Sequence, residues 1–232
     1  MTKIYYGCDE IPRNWGTYSS LCNAIELNLE QLDNPPKDET LNRWRVESPR
    51  GFAFILHADP SVAQGLAEAA LADKTELPDS VFQGWQKTVK RAQALAAKAI
   101  IIKTPISFSP GIAGRALIEA VGAELVTSYS NPVIWEAQGM WDTENSRGWA
   151  NDLGLTYAFD PYLALREELG LMQGDGAFIL NERGGLRREF DRFDIRAILD
   201  ELGSYNRAFF MLRGRFKWNH ASIFRELLAD DD

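Results

Sequence analysis

Polar and charged side chains occur at or near the ends of several strand-like runs, where they could take part in chemistry. In the run Ala24–Leu29 apolar residues alternate with Glu26 and Asn28, so these two share one face. The same alternation selects His57, Lys103, Glu136, Gln138, Asp160 and Arg213 in later runs. Catalytic groups of parallel barrels come from the carboxyl ends of the strands. We therefore expect these side chains, apart from Gln138, to form a polar ring at one mouth of a barrel.

Three of these side chains could act directly on a substrate, and we predict Glu26, Glu136 and Lys103 as the catalytic residues. Paired carboxylates such as Glu26 and Glu136 serve as acid and base in glycoside cleavage. A desolvated lysine such as Lys103 can act as a Schiff-base nucleophile. The alternative for each is structural. Glu26 would then belong to an ion pair, and Lys103 would pair with Glu136 on the neighbouring strand.

The remaining candidates have the character of ligand-binding residues. Trp15 and Trp141 fall in predicted loops after the first and fifth runs, where aromatic rings can stack on sugars or bases. A hydrophobic lid over the barrel end is the alternative role for these rings. The predicted ligand-binding set is Trp15, Asn28, His57, Gln138, Trp141, Asp160 and Arg213. Together with the charged candidates, this set predicts a site for a small polar or anionic ligand, with hydrolysis as one activity it could support.

The chain lacks the residues that several classes of functional site require. The chain has two histidines and two cysteines, which argues against a His-rich metal centre or a four-cysteine zinc site. It has no P-loop, no G-x-S-x-G nucleophile motif and no glycine-rich phosphate motif after the first strand-like run. We expect no metal site and no cofactor. Whether the chain is an enzyme stays open at this point.

The elements that must position these residues alternate along the chain between strand-like runs and amphipathic helical stretches. The runs are Lys3–Cys8, Ala24–Leu29, Phe52–Ala58, Ala99–Thr104, Val133–Gln138, Leu155–Asp160, Ala177–Asn181 and Ala208–Arg213. Eight strand-then-helix units predict a single (β/α)₈ barrel, of the TIM type, over residues 1–232. Its first helix should be short or missing, because that stretch contains Pro12 and Gly16. Helices are predicted over Ser61–Lys98, interrupted near Pro78, and over Pro161–Leu169, among others.

Composition is that of a soluble globular protein. The 232 residues include 45% hydrophobic residues, and 33 acidic side chains exceed 25 basic ones, for a net charge of −8. Such a balance disfavours binding to nucleic acid, which draws on cationic neutralisation of phosphates. No apolar run approaches the roughly 18 residues of a membrane span, and no secretory signal pattern opens the chain. We therefore expect a cytoplasmic protein without membrane association.

Four segments, in order along the chain, resemble the domain-of-unknown-function 72 (YecE-like) proteins. They are IYYGCDEIPRNW, AIELNLEQL, GFAFILHAD and PVIWEAQGMW. The resemblance implies a TIM-barrel-like fold without an established activity. A fold-level likeness of this family to barrel endonucleases makes nucleic-acid processing an alternative function, and a non-catalytic interaction protein is another.

The resemblance also marks individual residues, and it implies a divergent member. The residues that match the family motifs are Gly7, Trp15, Glu26, Asn28, Glu136, Trp141 and Asp160. Gln138 and Gly139 stand where the family has an Arg-His pair, and Arg213-Gly214 stands where it has paired asparagines. The segment FILNERG lacks the family's histidine. These departures imply that the family site is partly dismantled in this chain.

Overall fold

The computed structural model describes residues 2–161, 174–181 and 189–229. Contacts between residues divide the chain into two compact units. The first unit is Met1–Leu27, Glu47–Ala53 and Ala158–Asp232, and the second unit is Asn28–Val46 and Phe54–Tyr157. Each unit is described by itself below.

Eight strands are present in the described residues, and their pairing gives the fold class. They are β1 Lys3–Cys8, β2 Ala24–Leu27, β3 Ala53–His57, β4 Ala99–Thr104, β5 Val133–Ala137, β6 Leu155–Phe159, β7 Gly174–Leu180 and β8 Tyr205–Leu212. The sheet order is β1-β8-β7-β6-β5-β4-β3-β2, neighbouring strands pair in parallel, and β1 also contacts β2. This is the strand order of a (β/α)₈ barrel, so the predicted fold class is confirmed.

Helices follow most of the strands. They are α1 Trp15–Ser19, α2 Asp38–Glu47, α3 Pro60–Leu71, α4 Asp79–Leu95, α5 Ile112–Ala120, α6 Thr143–Asp152, α7 Arg192–Asp200 and α8 Lys217–Ala229. The five residues of α1 confirm the prediction of a short first helix. The long helical stretch predicted over Ser61–Lys98 is two helices, because the chain leaves α3 after Leu71 and α4 begins after Pro78. The helix predicted over Pro161–Leu169 lies outside the described residues.

In the first unit, aromatic side chains of neighbouring strands stack on one another. Tyr5 stacks on Phe209 with ring centroids 5.2 Å apart, and Phe178 stacks on Phe210 at 4.8 Å. Aromatic residues fit the pleated surface of a sheet and bury large apolar areas there.

Gly7 lies where β1 and β2 approach closely, since a Cβ atom at this position would lie 2.0 Å from the Ala24 carbonyl oxygen. Only glycine therefore allows β1 to approach β2 this closely.

In the second unit, the core is built on β4 and β5. Ile100, Ile101 and Ile102 are consecutive and all buried, as expected for a parallel strand that is covered on both faces. The chain enters α3 through an N-cap at Asp59, whose carboxylate accepts a hydrogen bond from the Ser61 backbone N–H, and Pro60 opens the helix. The side chains within these strands are thus buried, and polar side chains follow where the strands end.

Among the helices of the described residues, none has the length and apolar character that crossing a membrane requires.

Candidate functional site

A cavity of about 260 Å³ lies in the second unit, where β3, β4 and β5 end. Its polar side chains are Asn28, His57, Asp59, Gln64, Lys103 and Gln138, and we call it the polar cavity. His57 is the last residue of β3, Lys103 is the penultimate residue of β4, and Gln138 follows β5 directly. Four of the predicted site residues, Asn28, His57, Lys103 and Gln138, are therefore brought together in one concave site.

Lys103 and Glu136 form the charged centre of this region. They are register partners on β4 and β5, and the Lys103 ammonium lies 2.8 Å from Glu136 Oε1. The predicted pairing of these two side chains is therefore confirmed. The Glu136 side chain is 7% exposed and that of Lys103 is 36% exposed. Because an ammonium has three N–H donors, Lys103 can hold Glu136 and still donate to a ligand.

Asp59 is a residue of the polar cavity that the strand-end analysis did not select. Its Oδ1 accepts hydrogen bonds from the backbone and hydroxyl of Ser61, and its Oδ2 lies 2.5 Å from the Lys87 ammonium. Burial by itself would raise the pKa of the Asp59 carboxyl. Hydrogen bonds from Lys87 and Ser61 outweigh that effect and hold this pKa below its ordinary value. Asp59 is therefore a carboxylate at neutral pH.

The cations beside Asp59 are held by helix α4 and by a second acid. Arg91 donates to Glu30 Oε1 at 2.6 Å, and Lys87 lies 3.5 Å from the same oxygen. The Asp59 backbone N–H donates to the Thr88 hydroxyl, which in turn donates to the Gly84 carbonyl. One face of α4 thus fixes both the backbone and the carboxylate of Asp59. The signal that could have identified this residue is the Asp-Pro pair directly after a strand.

In the first unit, the structure places two other predicted residues against each other. Arg213 donates to both carboxylate oxygens of Glu26, from Nε at 3.0 Å and from Nη2 at 2.6 Å. The side chains are 11% and 3% exposed. This is a buried bidentate ion pair, the strongest common geometry for these two groups. The ion pair predicted as the alternative for Glu26 is therefore present, with Arg213 as its partner, and the catalytic role of Glu26 stays a prediction.

The other predicted ligand-binding residues lie in different surroundings. Trp15 begins α1 in the first unit and is buried, with edge contacts to Tyr18 and Phe52. Asp160 directly follows β6 and is half-buried. Trp141 is buried in the second unit, where its indole N–H donates to the Phe108 carbonyl at 2.7 Å. No structural finding tests whether these residues bind a ligand, so their assignment stays a prediction.

Within residues 2–161, 174–181 and 189–229, no three His, Cys, Asp or Glu side chains are grouped as a metal site would require. The chemistry that the polar cavity offers is instead hydrogen bonding. It combines donors (Lys103), acceptors (Asp59) and side chains that do both, among them Asn28, Gln64 and Gln138.

Comparison with known proteins identifies the fold. The chain is similar to a DUF72 family protein (TM1631) from Thermotoga maritima, with a TM-score of 0.70 and 13% sequence identity over 98% of this chain and 99% of that chain. The chain has the fold of the DUF72 proteins. A second DUF72 family protein (EF0366), from Enterococcus faecalis, has a TM-score of 0.69 and 10% identity over 99% and 98% of the two chains. The predicted resemblance to the DUF72 family is thus confirmed at the level of fold.

A third similar structure is the 3-keto-D-glucoside 4-epimerase YcjR from E. coli, with a TM-score of 0.58. It is 12% identical, and the match covers 100% of both chains. No protein-family model and no curated protein matches the sequence of this chain. Similarity to known proteins therefore lies in the three-dimensional fold, and DUF72 and sugar-epimerase structures share it.

Proposed function

We propose that this chain is a divergent member of the DUF72 (YecE-like) family and binds a small, hydroxyl-rich ligand in the polar cavity. The observation that carries the proposal is the convergence of six polar side chains on one cavity at the carboxyl ends of three strands. Strand ends are where parallel barrels place their ligands. A ligand with several hydroxyl groups matches a wall that both donates and accepts hydrogen bonds.

Size limits the ligand. Pockets that hold drug-sized molecules have volumes of roughly 300–1,000 Å³, and the polar cavity, at about 260 Å³, lies just below that range. A single sugar ring or a short polyol is therefore the class of ligand we propose. The sugar substrate in the name of YcjR belongs to that protein, and it serves here only as a reason to include glycosides in a binding assay.

Charge limits the ligand as well. The cation that lines the cavity, Lys103, is balanced by Glu136, and the anion Asp59 is balanced by Lys87. A ligand with a large net charge would have to compete with one of these pairs. A neutral ligand leaves both intact and uses the two N–H groups of Lys103 that do not contact Glu136.

Binding is tested by isothermal titration with a panel of neutral monosaccharides and polyols. We expect at least one member to bind the native protein and Lys90→Met, in which an exposed lysine of α4 that pairs with Asp38 is replaced. Lys103→Met should bind it at least tenfold more weakly, because the donor in the cavity wall is lost. No binding by any member, or equal binding by Lys103→Met, would overturn the proposal.

Hydrolytic activity, which the sequence suggested for Glu26 and Glu136, stays a prediction. Its assay is release of nitrophenol from a panel of nitrophenyl glycosides by the native protein and by Glu136→Gln. Turnover by the native protein that Glu136→Gln lacks is the result that would support it. Equal rates in both would contradict it. Nucleic-acid processing, which the net charge of −8 disfavours, and a non-catalytic interaction role stay the alternative functions.

A further inference from the structure

A second cavity lies in the second unit, and the proposed function makes no use of it. Its volume is about 470 Å³, larger than that of the polar cavity. The side chains that matter here are Arg115 of α5, Trp141 of the loop after β5, and Asp142, Asn145, Ser146 and Trp149 at and within α6. We call it the aromatic cavity.

The aromatic wall of this cavity is held rigidly. Trp149 stacks on Trp141 with ring centroids 5.9 Å apart and planes inclined by 10°, and Trp141 also stacks on Phe108 at 5.7 Å. Trp135 contacts both tryptophans edge-on, at 4.8 and 6.0 Å. A flat surface fixed in this way loses little conformational entropy when a ring stacks on it.

The polar groups of the cavity are also held in place. Arg115 Nε donates to the Pro110 carbonyl at 3.0 Å, and the guanidinium lies 5.9 Å from the Trp149 ring. Asp142 Oδ1 accepts from the backbone and side-chain amides of Asn145, both at 2.9 Å. Arg115 and Asp142 have opposite charges, so the cavity has no strong preference for an anion. Planar donors and acceptors beside an aromatic face suit the vicinal hydroxyls and apolar face of a sugar ring.

The two cavities share the loops that separate them. Pro105 lines the polar cavity and Pro110 the aromatic cavity, while Gln138 and Met140 do the same in the next loop. Because Gln138 and Met140 are two residues apart, their Cα atoms lie within about 7 Å of each other. Gly139 between them has a φ of +90°, and a Cβ atom there would lie 2.9 Å from the Ile106 carbonyl oxygen. The two loops therefore touch and form a thin partition.

We propose that the aromatic cavity is the subsite for a second ring, so that the ligand is a disaccharide or glycoside whose first ring occupies the polar cavity. This inference rests on the proposed function. It follows from three observations: a rigid aromatic face, fixed planar donors and acceptors, and a thin partition made of two touching loops. We expect the stacking of one further ring on this aromatic wall to raise the affinity about tenfold, which corresponds to about 1.4 kcal/mol.

Isothermal titration with monosaccharides and with the disaccharides built from them tests the proposed second subsite. The probes are neutral monosaccharides and the disaccharides built from them, and the proteins are the native chain, Arg115→Gln, Trp149→Leu and Lys103→Met. Arg196→Gln, which changes an exposed arginine of α7 in the first unit, is the control. We expect one disaccharide to bind the native chain and the control about tenfold more tightly than its monosaccharide. Arg115→Gln and Trp149→Leu should lose that gain and keep the monosaccharide affinity.

The outcomes separate the two proposals. If a monosaccharide binds in a Lys103-dependent way but no disaccharide binds more tightly, the second subsite is wrong and the proposed function stands. The same holds if the disaccharide gain survives in both Arg115→Gln and Trp149→Leu. If no sugar of either length binds, the proposed function falls, and the second subsite with it. Because Arg115 is exposed, Arg115→Gln keeps the test valid even if Trp149→Leu fails to fold.

Discussion

Within the part of the chain that the structure describes, two strand glutamates are buried, Glu26 and Glu136, and they are paired in different ways. Glu26 in the first unit is held by two hydrogen bonds from Arg213, and both side chains are almost fully buried. Glu136 in the second unit is also buried, but its partner Lys103, whose ammonium lies 2.8 Å from Oε1, is 36% exposed at the wall of a cavity. The first pair has little capacity left for a ligand, whereas the second presents a donor to one.

We expect this difference to separate residues that stabilise the fold from residues that can contact a ligand. Both glutamates were predicted from the same signal, a charged residue on the polar face of a strand-like run. An arginine fork satisfies both oxygens of a carboxylate at once, while an ammonium is a point charge with donors to spare. We therefore expect the cation, arginine or lysine, to indicate whether each ion pair can also bind a ligand. The glutamate alone does not indicate this.

The largest effect should come from opening the pair in the first unit. Arg213→Met leaves the Glu26 carboxylate buried without its two charge-assisted hydrogen bonds, and we expect the free energy of unfolding to fall by about 3–5 kcal/mol. Urea denaturation measures this. The double variant Glu26→Leu/Arg213→Met should recover most of the loss, because no buried charge remains. A single-variant loss below about 1 kcal/mol would contradict a structural role for the pair.

Opening the pair in the second unit should cost less. We expect Lys103→Met to lower the free energy of unfolding by about 1 kcal/mol, since water reaches the place that the exposed ammonium leaves. The same urea titration serves, with Lys90→Met as the surface reference. A loss as large as that of Arg213→Met would show that the two pairs play the same structural role and would remove the distinction drawn above.

A smaller, pH-dependent effect is expected at Asp59, the other carboxylate of the polar cavity. Asp59→Asn keeps an N-cap oxygen for α3 but loses the charge that faces Lys87, which is 51% exposed, so about 0.5 kcal/mol should be lost at pH 7. The folded pKa of this carboxyl lies below the unfolded value of about 3.9. The contribution is therefore complete above that value and disappears as the pH falls through the folded pKa.

Urea midpoints of the native chain and Asp59→Asn, measured between pH 7 and pH 3, test this prediction. The difference between the two proteins should be constant down to about pH 4.5 and should then shrink. A difference that grows as the pH falls would mean that the pKa of the Asp59 carboxyl is raised in the folded state.

The smallest effect is expected for the reactivity of the two cysteine thiols of the first unit toward a labelling reagent. Cys8 and Cys22 are 0% and 1% exposed. A hydrogen bond with Cys22 and burial both raise the pKa of the Cys8 thiol. We expect neither cysteine to react with Ellman's reagent in the folded protein at pH 8 within an hour, and both to react in urea. Rapid labelling of the folded protein would show that this region opens readily.

Strands were the part of the fold most accessible from sequence. The run Ala99–Thr104 has three consecutive isoleucines, and its predicted bounds coincide with those of β4. Helix α2 was predicted only as a helix-like stretch around Trp44, without bounds, because Leu41 is its single buried residue and the helix has little apolar periodicity.

The pairing of candidate residues could be predicted where neighbours in space were also neighbours in strand order. Lys103 and Glu136 could be paired because adjacent parallel strands fix their register. The partner of Glu26 could not be named in advance, since Arg213 lies 187 residues further along the chain. Arg115 and Asn145 were missed for another reason: they lie on helices, where the alternation of a strand carries no information.

The left-handed glycine at position 139 has an evolutionary consequence. Gly139 lies against the Ile106 carbonyl, and its two neighbours line different cavities: Gln138 lines the polar cavity and Met140 lines the aromatic cavity. Replacement by any larger residue would force the loops apart and reshape both openings in a single step. Mutations that change the shape of one cavity opening are therefore expected at the residues around Gly139. Position 139 itself should remain glycine.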